Sequence, residues 1–112
     1  MYGNPQARCD EDVKTLRRKG GAWLKGLRER AGLSQRELAA KLGAEYYTFV
    51  SQMETGRVRV PPDQYRALAE ALGLQPEELV RDLLRYYDPV THGILFSADA
   101  VGETRSFAPK NG

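Results

Sequence analysis

The sequence predicts an all-α protein. Apolar residues recur at spacings of three and four in five successive segments, which is the signature of one-sided helices. Each segment is bounded by a glycine, a proline or an N-capping residue. The chain has 112 residues, 41% of them hydrophobic and 29% charged, which suits a single domain around one core. A chain of this length buries roughly 65% of its unfolded surface. The composition is not that of a disordered chain, and no apolar run approaches the ~18 residues of a membrane span. Met1 to Glu11 lacks the apolar core of a secretory signal. A lone cysteine, Cys9, makes neither an internal disulfide nor a structural zinc site by itself. These features point to the cytoplasm.

Residues 1–12 are polar, with a Gly-Asn-Pro turn signal, and read as a flexible arm. Residues 13–19 fit a short helix that Gly20-Gly21 would end. The arm and this short helix form a first region, 1–21. The first main segment spans Ala22 to Ala31, with Trp23, Leu24, Leu27 and Ala31 on one face and Gly32 as its stop. The second opens at Ser34, an N-cap with Glu37 three residues later, which is a capping box. Leu38, Ala39 and Leu42 are its apolar face, and Gly43 closes it.

The third segment runs from Glu45 or Tyr46 to Thr55, before Gly56. At 100° per residue, Tyr46, Phe49, Val50 and Met53 cluster on one side, and Tyr47, Thr48, Ser51, Gln52 and Thr55 on the other. Pro61-Pro62 then forbids helix. The fourth segment runs from near Asp63 to Leu72, with Tyr65, Leu68, Ala69 and Leu72 as its stripe. The fifth has Pro76 in its first turn with Glu77 and Glu78 at the positive end of the dipole. Leu79, Val80, Leu83, Leu84 and Tyr87 are apolar, and Asp88-Pro89 is expected to stop it. The main domain is therefore residues 22–88.

Residues 89–112 form a tail. Its run Ile94-Leu95-Phe96 has β tendency and fits either a single strand or a loosely ordered segment. A lone strand has no backbone partner in a helical domain, so a strand would pair with a second copy of the chain.

The net charge of +2 hides an uneven distribution. Lys14 to Arg36 carries +7, residues 1–13 carry −2 and residues 37–112 carry −3. Such a block suits an anionic partner such as nucleic acid, or a solvated basic helix face. The run Lys14 to Lys19 divides the same way: a phosphate-tracking or minor-groove arm, or a wet face.

Segments two and three, joined by a turn containing Gly43, form a helix-turn-helix candidate. The second helix of such a unit buries one side so that the other can enter a major groove about 12 Å wide. Tyr47, Thr48, Ser51 and Gln52 are suited to base edges and thymine methyls. Gln35 and Arg36 at a helix N-terminus, with Arg57 and Arg59 after the second helix, are suited to phosphates.

On these motifs the chain resembles a lambda-repressor/Cro-like helix-turn-helix domain of the xenobiotic-response-element type. The stretch from Leu24 to Ala39 is similar to the family's opening. Ser51-Gln52-Met53-Glu54-Thr55-Gly56-Arg57 is similar to the end of its recognition helix. Leu68 to Leu74, followed by Pro76-Glu77-Glu78-Leu79, is similar to its fourth and fifth helices. The resemblance covers residues 24–83 and implies a compact five-helix DNA-binding domain. It also implies that Gln35 contacts a phosphate or a nearby base, and that Arg28 and Glu54 form a structural ion pair. This chain departs by one extra residue between Gly43 and Glu54, near Ala44-Glu45-Tyr46, which shifts the register of side chains on bases. The recognition helix also carries no Lys or Arg, while Glu45 and Glu54 at its ends would repel phosphates if they faced them.

The remaining chemistry-bearing residues have plainer readings. Cys9 is an incidental thiol, since Asp10, Glu11 and Asp12 would raise its pKa. His92, the single histidine, is a surface loop residue. Trp23, Tyr86 and Tyr87 are core or interface aromatics. No nucleophile–base set, phosphate-cradling loop or metal-ligand spacing occurs, so neither an enzyme nor a cofactor is expected. The expectation is a sequence-specific regulator of transcription, a repressor, that binds double-stranded DNA as a homodimer. Its dimer contact would come from Leu84, Tyr87, Ile94 and Phe96. The alternative is a protein-interaction module, such as an antitoxin or adaptor, whose tail binds a protein partner.

Overall fold

The computed structural model describes the backbone of residues 5–96 and the side chains of residues 12–96. Six α-helices lie among the described residues, with no strand. Helix α1 is Pro5–Arg30, α2 is Gln35–Lys41 and α3 is Thr48–Glu54. After a 3-10 turn at Pro62–Gln64 come α4 (Tyr65–Leu72), α5 (Pro76–Tyr87) and α6 (Pro89–Phe96).

Helix α1 corrects the first expectation. Residues 5–12 are helical rather than a loose arm, and Gly20-Gly21 lies inside the helix rather than ending one. Each interior glycine costs about 1 kcal/mol relative to alanine, and packing is what requires it. A Cβ on Gly21 would collide with the Glu54 carbonyl and stand 2.8 Å from the Met53 carbonyl oxygen. A Cβ on Gly20 would stand 2.8 Å from the Tyr86 Cβ. The bare backbone lets α1 lie directly on the end of α3 and on α5.

The capping box of α2 is present as expected. The Glu37 amide donates to Ser34 Oγ at 3.0 Å, and the Ser34 amide donates to Glu37 Oε1 at 2.7 Å. Helix α3 begins at Thr48, later than expected, because residues 44–47 form the turn that precedes it. That turn tightens into the helix through bonds from Phe49 N–H to the Tyr46 carbonyl and from Ser51 N–H to the Tyr47 carbonyl. Tyr46, expected in the core, is 66% exposed.

The core joins all of α1 to α5. Leu24, Leu38, Val50, Met53, Leu68 and Leu79 are almost fully buried. Burial of each such side chain stabilises the fold by about 1.5–3 kcal/mol. Val60 sits in the same core, so the loop after α3 is fastened to the domain.

The tail supplies the second correction. Ile94-Leu95-Phe96 ends a helix and forms no strand. The Asp88-Pro89 pair that stops α5 also starts α6. Asp88 caps it, accepting from the Thr91 amide at 3.1 Å and the Thr91 hydroxyl at 2.6 Å. These bonds hold the Asp88 carboxyl below its ordinary value of 3.8. His92 lies on this helix against Phe96, with ring centroids 5.2 Å apart, rather than in a loop. Residues 97–112 lie outside the described residues.

Candidate nucleic-acid interface

Seven residues make a helix of two turns, too short to be stable in isolation. Everything that fixes α3 therefore comes from behind it. Val50 and Met53 enter the core. Glu54, at its C-terminal end, is buried and receives Arg28 Nε on Oε2 at 2.6 Å and Arg28 Nη2 on Oε1 at 3.2 Å. Arg28 Nη1 donates to the Leu33 carbonyl at 2.8 Å, which ties in the loop between α1 and α2. The hydrogen bond to Glu54, with its charge, raises the Arg28 pKa above its ordinary value. The two residues assigned by the resemblance as an ion pair thus meet in a nearly closed hydrogen-bond set. Glu54 points inward, away from the side on which it would repel a polyanion.

Gln35 joins that set. Its Nε2 donates to Glu54 Oε1 at 3.0 Å. The bond links the start of α2 to the end of α3 and fixes the angle between the two helices. This contact was not legible from spacing, because Gln35 and Glu54 lie on different helices. The second Nε2 hydrogen of the Gln35 amide can still donate, and the α2 N-terminus remains beside it.

With its rear fixed, α3 presents a different outer side. Thr48, Gln52 and Thr55 are exposed and follow each other at helical spacing. The Gln52 and Thr48 side chains make no hydrogen bond among the described residues. The Thr55 hydroxyl donates back to the Ser51 and Gln52 carbonyls at 3.0 and 3.2 Å. Ser51 is half-buried beside the exposed stripe. Tyr47 sits just before the helix, 41% exposed, with the Arg36 guanidinium 5.1 Å from its ring centroid. This cation–π contact holds an arginine of α2 against the start of α3. The two residues also line a hollow of about 370 Å³ with Ala44, Glu45 and Tyr46.

The phosphate candidates separate. Arg36 and Arg57 flank α3 at opposite ends, both exposed. Arg57 is placed by its amide, which donates to the Gln52 carbonyl at 2.9 Å. Arg59 instead turns to α5, with its guanidinium 4.8 Å from the Tyr87 ring centroid. Tyr87 is half-buried and its hydroxyl accepts from the Val60 amide at 3.1 Å. Burial pushes its pKa up.

The residues expected at a dimer contact also divide. Tyr87 is used inside the fold, and Leu84 is half-buried. Phe96 is half-buried against His92, with Arg81 5.9 Å from its ring centroid. Ile94 is 72% exposed, beside Val90 at 71% and Leu95 at 56%. Trp23 and Tyr86 face each other across α1 and α5, with centroids 5.6 Å apart, and serve the fold. Among the described residues no His, Cys, Asp and Glu cluster could hold a metal ion. No described helix is long and apolar enough to cross a membrane.

A family profile for the helix-turn-helix domain matches residues 21–83, which span α1 from Gly21 through most of α5. No curated protein sequence matches the chain.

Proposed function

The chain belongs to the helix-turn-helix domain family, and on that premise we propose that it is a sequence-specific DNA-binding regulator of transcription, of the lambda-repressor/Cro-like type, acting as a repressor. One observation carries this reading. The outer stripe of Thr48, Gln52 and Thr55 makes no hydrogen bond to another side chain among the described residues, and it stands on a short helix locked from behind by Arg28, Glu54 and Gln35. A helix with its side chains is about 10–12 Å across, which fits a major groove about 12 Å wide.

In this reading Gln52 hydrogen-bonds a base edge, Thr48 and Tyr47 contact thymine methyls or base acceptors, and Ser51 supports them. Gln35 and Arg36 hold phosphates at one end of α3, and Arg57 holds them at the other, while Arg59 stays stacked on Tyr87. The activity is binding, with no chemical step. A repressor works by occupying its site against other proteins.

A module of this size touches few base pairs, so useful specificity favours a homodimer on a pseudo-palindrome, with half-sites about 34 Å apart. The exposed Val90, Ile94 and Leu95 on α6 support a contact there between two copies. The same apolar residues support the second reading, an adaptor or antitoxin that binds another protein.

The test is a titration of the full chain against a duplex enriched from a random-sequence pool and against its scramble, at several salt concentrations. The expected result is a linear salt dependence on both duplexes and a clear preference for the enriched one. Absence of duplex affinity at moderate salt, with stable co-purification of a different protein, favours the adaptor reading.

A further inference from the structure

The first half of α1 lies outside the residues that match the helix-turn-helix profile, yet it carries Lys14, Arg17 and Arg18. These cations do not simply radiate into solvent. With Thr55, Gly56 and Arg57 they line a hollow of about 430 Å³ between α1 and the loop after α3.

Gly56 sets this geometry. Its φ is +84°, in the left-handed region, and a Cβ there would stand 2.8 Å from the Arg17 carbonyl carbon and 2.9 Å from the Arg18 nitrogen. The loop therefore rests directly on the α1 backbone and holds Arg57 across from the α1 cations. None of the four cations forms an ion pair with a carboxylate among the described residues. Arg17 Nε is shielded from solvent and has no hydrogen-bond partner among the described residues. Arg18 has one long bond, from Nη2 to Thr15 Oγ1 at 3.4 Å.

A concave wall of one charge sign focuses its field and concentrates counter-ions. Cations that converge on one hollow suit an anion. Its identity follows from position. Thr55 belongs both to the outer stripe of α3 and to the lip of the hollow, so the hollow opens where the reading surface ends.

We propose that this hollow is a phosphodiester site, which holds the DNA backbone flanking the bases that α3 reads. The proposal rests on the DNA-reading function above. It assigns the α1 extension a binding role and lengthens the footprint beyond the matched domain.

The test uses the full chain, a duplex enriched from a random-sequence pool, its scramble, and a version trimmed to remove its flanks. Lys14→Gln with Arg18→Gln changes two exposed positions, and circular dichroism checks that the fold is kept. The double variant is expected to bind both long duplexes at least about fivefold more weakly. Its log–log salt slope should be shallower by about 0.9 for each phosphate that it no longer neutralises. The preference for enriched over scrambled sequence should stay within about twofold of the parent. On the trimmed duplex the variant and the parent should bind alike. Lys41→Gln, an exposed charge removed on the α2–α4 side, should leave the slope unchanged.

An unchanged slope in the double variant, with the parent still selecting its duplex, overturns the phosphodiester site and leaves the DNA reading standing. Failure of the parent to enrich any duplex overturns both. Saturable binding of inorganic phosphate at fixed ionic strength, lost in the variant while duplex binding is untouched, assigns the hollow to a small phosphate ligand and overturns the backbone site.

Discussion

Arg28 and Arg18 stand on the same helix in opposite circumstances. Arg28 is 7% exposed and spends its guanidinium on Glu54 and the Leu33 carbonyl. Arg18 is exposed, with one long bond to a neighbouring threonine. Helix α1 is thus two helices in function. Its second half fastens α3 from behind, and in the proposed function its first half offers cations to the DNA backbone. The same residue type is a rivet in one place and a hand in the other, and only the partner tells them apart.

Removing each arginine in turn tests this contrast most severely. Arg28→Ala leaves Glu54 charged in the interior and should cost about 3–5 kcal/mol of stability. Arg18→Ala should stay within about 0.5 kcal/mol. Chemical denaturation of both variants measures the difference, and similar values would contradict the division of α1. Glycines on the same helix give the next largest effects. Gly21→Ala drives a methyl into the Glu54 backbone and should destabilise by about 1–3 kcal/mol. Gly26 has nothing within 4 Å of its would-be Cβ, so Gly26→Ala should stabilise by up to about 1 kcal/mol. Thermal melts of the pair read out both signs.

The smallest effect lies at the far end, in α6. The folded Asp88 carboxyl titrates below its ordinary value because the Thr91 hydroxyl and amide favour its charged form. Its contribution to α6 is therefore fully present above that ordinary value and is lost as the pH falls through the lowered folded one. Amide exchange at α6 should quicken in acid before the core opens. Asp88→Asn should show little of this pH dependence.

Much of the fold was legible in the sequence because local rules and tertiary packing agree. Ser34 and Glu37 announce the start of α2, and the glycines at the helix ends mark real stops. Expectation and structure part where packing overrules local preference. Gly20-Gly21 looks like a terminator, but its purpose is close approach of α1 to α3 and α5. Ile94-Leu95-Phe96 looks like a strand, but the Asp88 cap and Pro89 commit the chain to helix first. Tyr46 fits the apolar face by angle, yet it lies in the turn before Thr48, outside the helix altogether. At the interface, the types on the outer side of α3 were visible from spacing alone. The bond from Gln35 to Glu54, the stacking of Arg36 on Tyr47 and the turning of Arg59 to Tyr87 were not, since each joins residues on separate elements.

In the proposed function, sequence choice comes from a nearly neutral helix while affinity comes from the cations around it. The ratio of affinities for enriched and scrambled duplex at one fixed salt, in the parent, Gln52→Ala and Arg57→Ala, measures that division directly. Gln52→Ala should lose about 1–3 kcal/mol of the preference, and Arg57→Ala should weaken both duplexes while keeping it. Equal loss of preference in the two variants, or none in Gln52→Ala, would contradict the division.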